Sequence, residues 1–165
     1  MKYAIIYSSK TGNAELLAKT IKNTLNSSDC IYYGTDIEMV KSAGRIYLGF
    51  WTDKGMCDST SINNLKALKG KEVFLFGTAG FGESEEYFKA IMEKTIQNLS
   101  SDNKVIGSFM CQGKMPISVR ERYEMMAKSN SPVPNINRLI ENFDKALTHP
   151  DENDLEKLKS LVSNT

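Results

Sequence analysis

The residues best placed to do chemistry fall in three short stretches. The first, "SSKTGNAE" from Ser8 to Glu15, follows an apolar run and offers hydroxyls at Ser8, Ser9 and Thr11, an amine at Lys10, a glycine at Gly12 and an amide at Asn13. A helical segment begins near Asn13 or Ala14. Hydroxyls, successive backbone N–H groups in a turn and the positive end of a helix dipole together suit a phosphate. The plainer reading is a strand-to-helix turn in which Ser and Thr act as caps. The second stretch, "GFWTDKGMCD" from Gly49 to Asp58, carries the only tryptophan of the chain, either a stacking surface for a flat ring or packing beneath a loop. In the third, "GTAGFGESEEYF" from Gly77 to Phe88, Gly80 and Gly82 flank Phe81 and permit close backbone approach; the alternative is a flexible turn with an incidental aromatic.

Five runs rich in β-branched and aromatic residues must position these loops: Lys2 to Ser8, Cys30 to Tyr33, Arg45 to Phe50, Glu72 to Gly77 and Lys104 to Cys111. They are nearly continuous in apolar character, as in "YAIIY" and "EVFLF", which predicts strands covered on both faces and a parallel sheet. Helical periodicity separates them. Leu17, Ile21 and Leu25 share a face, as do Tyr87, Ile91 and Thr95 beside Phe88, Met92, Ile96 and Leu99. Asn63 to Leu68 supports only a brief helix, and Asp36 to Ser42 fits no class. Ser84 reads as an N-cap, and Ser118 with Glu121 has the spacing of a capping box. Ile136, Leu139, Ile140, Phe143 and Leu147 then form one stripe. "SNSPVPN", Ser129 to Asn135, is a loop, and Leu155, Leu158 and Val162 follow a break at Pro150. Alternating strands and crossover helices predict a doubly wound α/β sandwich with five parallel strands, a single domain over 1–165 in which 150–165 is a C-terminal helical extension. Such sheets bind ligands beyond the carboxyl ends of their strands. All three stretches lie there.

Composition narrows the function. With 165 residues and 41% hydrophobic content the chain buries one core. Its 21 basic and 20 acidic residues give a net charge of +1, so no overall field recruits nucleic acid or an anionic membrane. Cys30, Cys57 and Cys111 lack zinc-site spacing and are odd in number, which predicts reduced thiols and no metal. No apolar run reaches the ~20 residues needed to span a bilayer, and Met1-Lys2 leads directly into a strand, so a cytoplasmic protein is expected. G-x-x-x-x-G-K-[ST] and G-x-G-x-x-G are both absent from the phosphate loop. A magnesium-dependent receiver site also fails, since Ser8-Ser9 and Gly49-Phe50 stand where carboxylates belong.

Taken together, these residues resemble the flavodoxin family over roughly Met1 to Cys111. "SSKTGNAE" is similar to the family's T-x-T-G-x-T pattern at Ser9, Thr11, Gly12 and Asn13, while Ala14 puts a methyl where a hydroxyl is usual. That departure implies weaker FMN binding, by ~1 to 3 kcal/mol if one phosphate oxygen is left unpaired. The resemblance implies FMN as cofactor, held by Ser8, Ser9, Lys10, Thr11, Gly12, Asn13 and Ala14 at its phosphate. Phe50, Trp51, Thr52, Asp53, Lys54 and Gly55 would meet the ring on one side, with Thr78, Ala79, Gly80, Phe81 and Gly82 on the other. Trp51 and Phe81 would border its two faces, and a peptide near Lys54-Gly55-Met56 would rearrange toward the reduced ring. "LGFWTDKGMCD", "FGTAGFGESEEYF" and "CQGKMP" are similar, more narrowly, to small flavodoxin-like proteins associated with bacterial bilirubin reductases, which implies such a reductase as partner.

The expected function is therefore electron transfer through noncovalent FMN to a partner redox enzyme, with no catalytic residue of the chain's own. Two alternatives stay open. One is an NAD(P)H-dependent FMN reductase, in which Gln112 to Pro134, with Lys114, Arg120, Arg122 and Lys128, covers the flavin or contacts the nicotinamide nucleotide. The same segment also reads as an ordinary amphipathic helix packed through Val119, Tyr123 and Met126. The other is a flavin-free interaction module on the same scaffold. Relatives of the resembled family are typically acidic, whereas this chain places Lys54 and Lys114 beside the site, implying a less negative flavin potential. His149 reads as a capping or surface residue, and Cys57 and Cys111 as buried thiols.

Overall fold

The computed structural model describes residues 1–82, 84–131 and 133–165. Five parallel strands form the sheet: β1 Tyr3–Tyr7, β2 Cys30–Gly34, β3 Arg45–Asp53, and, beyond a short β4 at Met56–Cys57, β5 Glu72–Ala79 and β6 Lys104–Gln112. Their order is β2-β1-β3-β5-β6. The sixth strand departs from the five expected. β4 pairs antiparallel with the end of β3, Thr52 opposite Cys57 and Asp53 opposite Met56. Two residues are too few to show a period, so no pattern announced it.

The continuous apolar runs are two alternating faces of doubly covered strands. Ala4 and Ile6 of β1, Ile46, Leu48 and Phe50 of β3, and Val73 and Leu75 of β5 face one layer; Tyr3, Ile5, Tyr47, Phe74 and Phe76 face the other. Register keeps the layers aligned, with Ile5 beside Tyr47 and Tyr47 beside Phe74. Helices α1 (Asn13–Thr24) and α6 (Glu152–Ser163) cover the second face through Leu17, Ala18, Ile21, Leu158 and Val162. Leu65 of α2 (Ser59–Ala67) and Ile91 and Met92 of α3 (Glu85–Ile96) cover the first. The C-terminal segment, read from sequence as an extension, thus contributes Leu158 and Val162 to the main core.

Between β6 and α6 the chain inserts α4 (Ile117–Ala127) and α5 (Ile136–Ala146), which bury a small cluster of their own around Tyr123, Ile136 and Phe143. Val119 and Met126 pack on that cluster. Leu147, expected in the α5 stripe, lies just beyond the helix and is exposed. The capping box expected at Ser118 and Glu121 is replaced by Pro116 at the N-cap, with no side-chain cap; the proline's fixed φ (−59°) starts the helix two residues earlier, leaving Ser118 inside its first turn. Ser84 does cap α3, its hydroxyl accepting from Tyr87 N–H at 3.3 Å. Ile37–Val40, within the stretch left unclassified, forms a 3₁₀ turn. The described residues of 129–135 form no helix or strand; Pro132 of that expected loop lies outside the described residues.

Cys57 and Cys111 are buried and Cys30 is half-buried. Burial pushes both buried thiols up, and for Cys111 the nearby Asp154 and Asp151 push further in the same direction. Native protein at pH 8 should therefore show one thiol reacting readily with a disulfide reagent and two that react only on unfolding. Three equal rates would contradict this packing.

Candidate functional site

The C-terminal ends of β1, β3 and β5 open into one cleft of about 340 Å³. From the predicted site residues it gathers Lys10, Thr11, Asn13, Trp51, Thr52, Asp53, Lys54, Gly55, Thr78, Ala79, Gly80 and Phe81. Six others are placed differently. Ala14 and Phe50 are wholly buried. Ser8 donates to Asp58 Oδ1 at 2.9 Å, and Ser9 Oγ accepts from Gly12 N–H at 3.1 Å and Glu15 N–H at 3.4 Å. Gly12 holds a left-handed φ of 88° as the N-cap of α1. Gly82 faces a separate groove between α3 and α6.

Asp58 binds this end of the sheet together. Only 3% exposed, its carboxylate accepts from the Ser8 hydroxyl, from Trp51 N–H at 3.4 Å, and from Ser61 N–H and Oγ at 3.1 and 2.8 Å. Its own N–H donates to the Trp51 carbonyl at 3.0 Å. The β1 end, the β3 end and the start of α2 therefore meet at one carboxylate whose acceptor sites are all used. Sequence reasoning passed over Asp58, although Asp before "STS" is an N-cap signal.

Trp51 and Phe81 form aromatic walls. The ammonium of Lys10 stands 4.9 Å from the Trp51 ring centroid, and Phe81, 39% exposed, meets Tyr87 edge to face at 6.4 Å. Lys54 and Gly55 make the two-residue turn joining β3 to β4, with φ of 52° and 81°. Positive φ at both central positions is the hairpin turn that matches strand twist; it is ordinary for glycine and strained for lysine.

The segment after β6 closes the other side, contributing Gly113, Lys114, Met115 and Pro116, followed by Val119, Arg122 and Tyr123 of α4. It reaches the phosphate loop directly: the Lys114 carbonyl accepts from Thr11 Oγ1 at 3.2 Å and from Asn13 Nδ2 at 2.9 Å. Gly113 is needed for that approach, since a Cβ there would lie 2.4 Å from Asn13 Nδ2. On the Phe81 side, Gln112 Nε2 and Asn142 Nδ2 both donate to the Gly80 carbonyl, at 2.9 and 3.0 Å, and Gln112 also donates to Asn142 Oδ1 at 3.0 Å. α4 packs through Val119, Tyr123 and Met126, as the amphipathic-helix reading expects, and Val119, Arg122 and Tyr123 also wall the cleft. Arg120 is held by Glu124 and Asp144, and Lys128 does not line the cleft.

The cleft's chemistry fits a flat ring bearing a phosphate. The first-turn N–H groups of α1 have no intrahelical acceptors and carry the positive end of its dipole. Among the described residues, Thr52 Oγ1 is the one buried side-chain oxygen or nitrogen without a hydrogen-bond partner, and Thr52 lines the cleft. A buried orphan hydroxyl marks where a polar ligand edge would be satisfied. His149 does not line the cleft; its carbonyl accepts from Lys114 N–H at 3.1 Å, and its Nδ1 lies 2.7 Å from Asp154 Oδ2 in the capping box of α6.

Comparison with known proteins agrees with this geometry. A family model described as "Flavodoxin domain" matches residues 4–163. A flavodoxin-like domain-containing protein BilS from Clostridium symbiosum is 39% identical over 98% of this chain and 94% of its own length. The BilS protein of Clostridioides difficile is 33% identical over 99% and 96%. Among solved structures, oxidised flavodoxin 2 from Bacillus cereus superposes with a TM-score of 0.60 at 19% identity, covering 99% of this chain and 96% of that one. Two-electron reduced Megasphaera elsdenii flavodoxin gives 0.54 at 20%, covering 99% of each. These two show the shared fold.

Replacing Asp58 with Ala strands donors from three segments, so Asp58→Ala should lower unfolding free energy by on the order of 3 kcal/mol in chemical denaturation. A change below ~1 kcal/mol would show that the buried carboxylate contributes little.

Proposed function

The chain belongs to the flavodoxin family, and from that premise we propose that it binds one FMN noncovalently and carries electrons to a partner oxidoreductase, a bilirubin reductase. The observation that carries the reading is the convergence in one cleft of the α1 N-terminus, the Trp51 and Phe81 walls and the orphan Thr52 hydroxyl. The reductase assignment is supported by the sequence resemblance already described. When bound, FMN supplies the redox chemistry, accepting and releasing electrons in its ring system.

The chain's own residues bind and tune. The α1 N-terminus would receive the phosphate through backbone N–H groups, and Thr11 and Asn13, which donate to the Lys114 carbonyl, flank that position. Trp51 and Phe81 would shield the ring faces from water, and the unpartnered Thr52 Oγ1 would be satisfied by a polar ring atom. The turn at Lys54 and Gly55, with positive φ at both residues, would hold the edge of the ring, and Gly55 would lower the cost of any rearrangement there. No side chain of the cleft is assigned an acid, base or nucleophile role.

Lys54 lies on the cleft wall and is exposed. A cation there would favour the reduced, more negative flavin, an effect that solvent screening at an exposed side chain reduces.

Titration with FMN should quench the fluorescence of Trp51, the only indole, and give a bound chromophore absorbing near ~450 nm; no quenching and no bound absorbance would reject the flavin reading. Spectroelectrochemistry of Lys54→Met should show a more negative reduction potential, and an unchanged or higher one removes the tuning role. Stopped-flow mixing of the FMN-loaded chain with NADPH should leave the flavin oxidised, whereas rapid bleaching without a second protein would identify a direct reductase.

A further inference from the structure

We propose that the mouth of the cleft is a docking surface for the acidic face of a partner redox protein. The proposal rests on the electron-carrier reading for its purpose, but its evidence is separate. Lys10, Lys54, Lys114 and Arg122 all line the cleft and are all exposed; Asp53 is the only carboxylate among the described lining residues. This bias is local, because the whole chain carries 21 basic and 20 acidic residues.

None of the four cations is neutralised by an ion pair among the described residues. Lys10 rests on Trp51, and the Arg122 guanidinium lies 6.0 Å from the Tyr123 ring. Arg120, two residues from Arg122, shows the contrast, held by Glu124 and Asp144. Each cation is rooted in a different segment: the phosphate loop, the β3–β4 turn, the loop after β6, and α4. A pocket for one small anion draws donors from several segments toward one point. Long exposed side chains distributed around a rim instead spread positive potential over the entrance, which steers and orients a large acidic surface.

The same region also offers exposed apolar surface for contact once steering is complete. Phe81 is 39% exposed, and Ile117, next to the cleft-lining Pro116, is 63% exposed. Apolar contact inside a charged rim is the usual anatomy of a protein interface. Electrons would then cross where Trp51 and Phe81 border the ring.

The test uses the full chain with and without FMN, titrated by calorimetry with an acidic blue-copper protein kept in its Cu(I) state. A basic c-type cytochrome is the counter-probe and citrate the small-anion probe. Binding to the acidic protein is expected at ~10 mM salt, weakening roughly tenfold or more by ~0.5 M as screening shortens the field. The triple variant Lys54→Glu, Lys114→Glu, Arg122→Glu should lose that binding and gain affinity for the cytochrome. Lys89→Glu with Lys157→Glu, outside the cleft, should leave it unchanged. Preference for the cytochrome, salt-insensitive binding, or stoichiometric citrate binding without binding of the acidic protein would each overturn the proposal. Because the chain without FMN is titrated as well, a failure to take up FMN defeats the flavin reading without deciding this one.

Discussion

A buried carboxylate needs hydrogen-bond donors around it, and Asp58 places that requirement at the functional end of the sheet. Its acceptor sites draw in the Ser8 hydroxyl after β1, the Trp51 amide in β3 and both donors of Ser61 in α2. These donors would otherwise lie at strand ends with poor access to water, where an unpaired group is costly. The same bonds hold the start of the phosphate loop and the tryptophan backbone in a fixed relation. The cleft exists because two neighbouring parallel strands end there and are tied at one point.

The opposite wall depends on the inserted α4–α5 pair. That pair has its own small apolar cluster, yet its polar contacts reach the sheet's loops. Asn142 is 4% exposed and shares the Gly80 carbonyl with Gln112, while the Lys114 carbonyl takes Thr11 and Asn13. The insertion is therefore coupled to both the ring-side and phosphate-side loops. An incoming phosphate would compete with a backbone carbonyl for two side-chain donors, so ligand affinity and the seating of this segment are linked.

Charge separates this cleft from its scaffold. The chain's near balance of charges leaves the sheet and its helices electrostatically unremarkable, and four exposed cations concentrate at one opening. Their influence extends in two directions. Toward the interior they favour the more negative state of a bound redox group; toward solvent they select the sign of what approaches.

Much of this architecture was legible along the chain because it depends on local periodicity. "YAIIY" and "EVFLF" read as strands covered on both faces, and parallel winding then sends the loops after Tyr7, Trp51 and Ala79 to the same end. Gathering Trp51 and Phe81 near Thr11 followed from that rule. The tertiary structure alone joined Ser8 to Asp58, 50 residues away, and Thr11 to Lys114, 103 away. It alone gave Pro116 the helix start expected near Ser118 and showed the two-residue strand at Met56–Cys57. Periodicity reports which face of an element is apolar, whereas the partner of a polar group depends on how distant backbones meet, and no short window of sequence contains that.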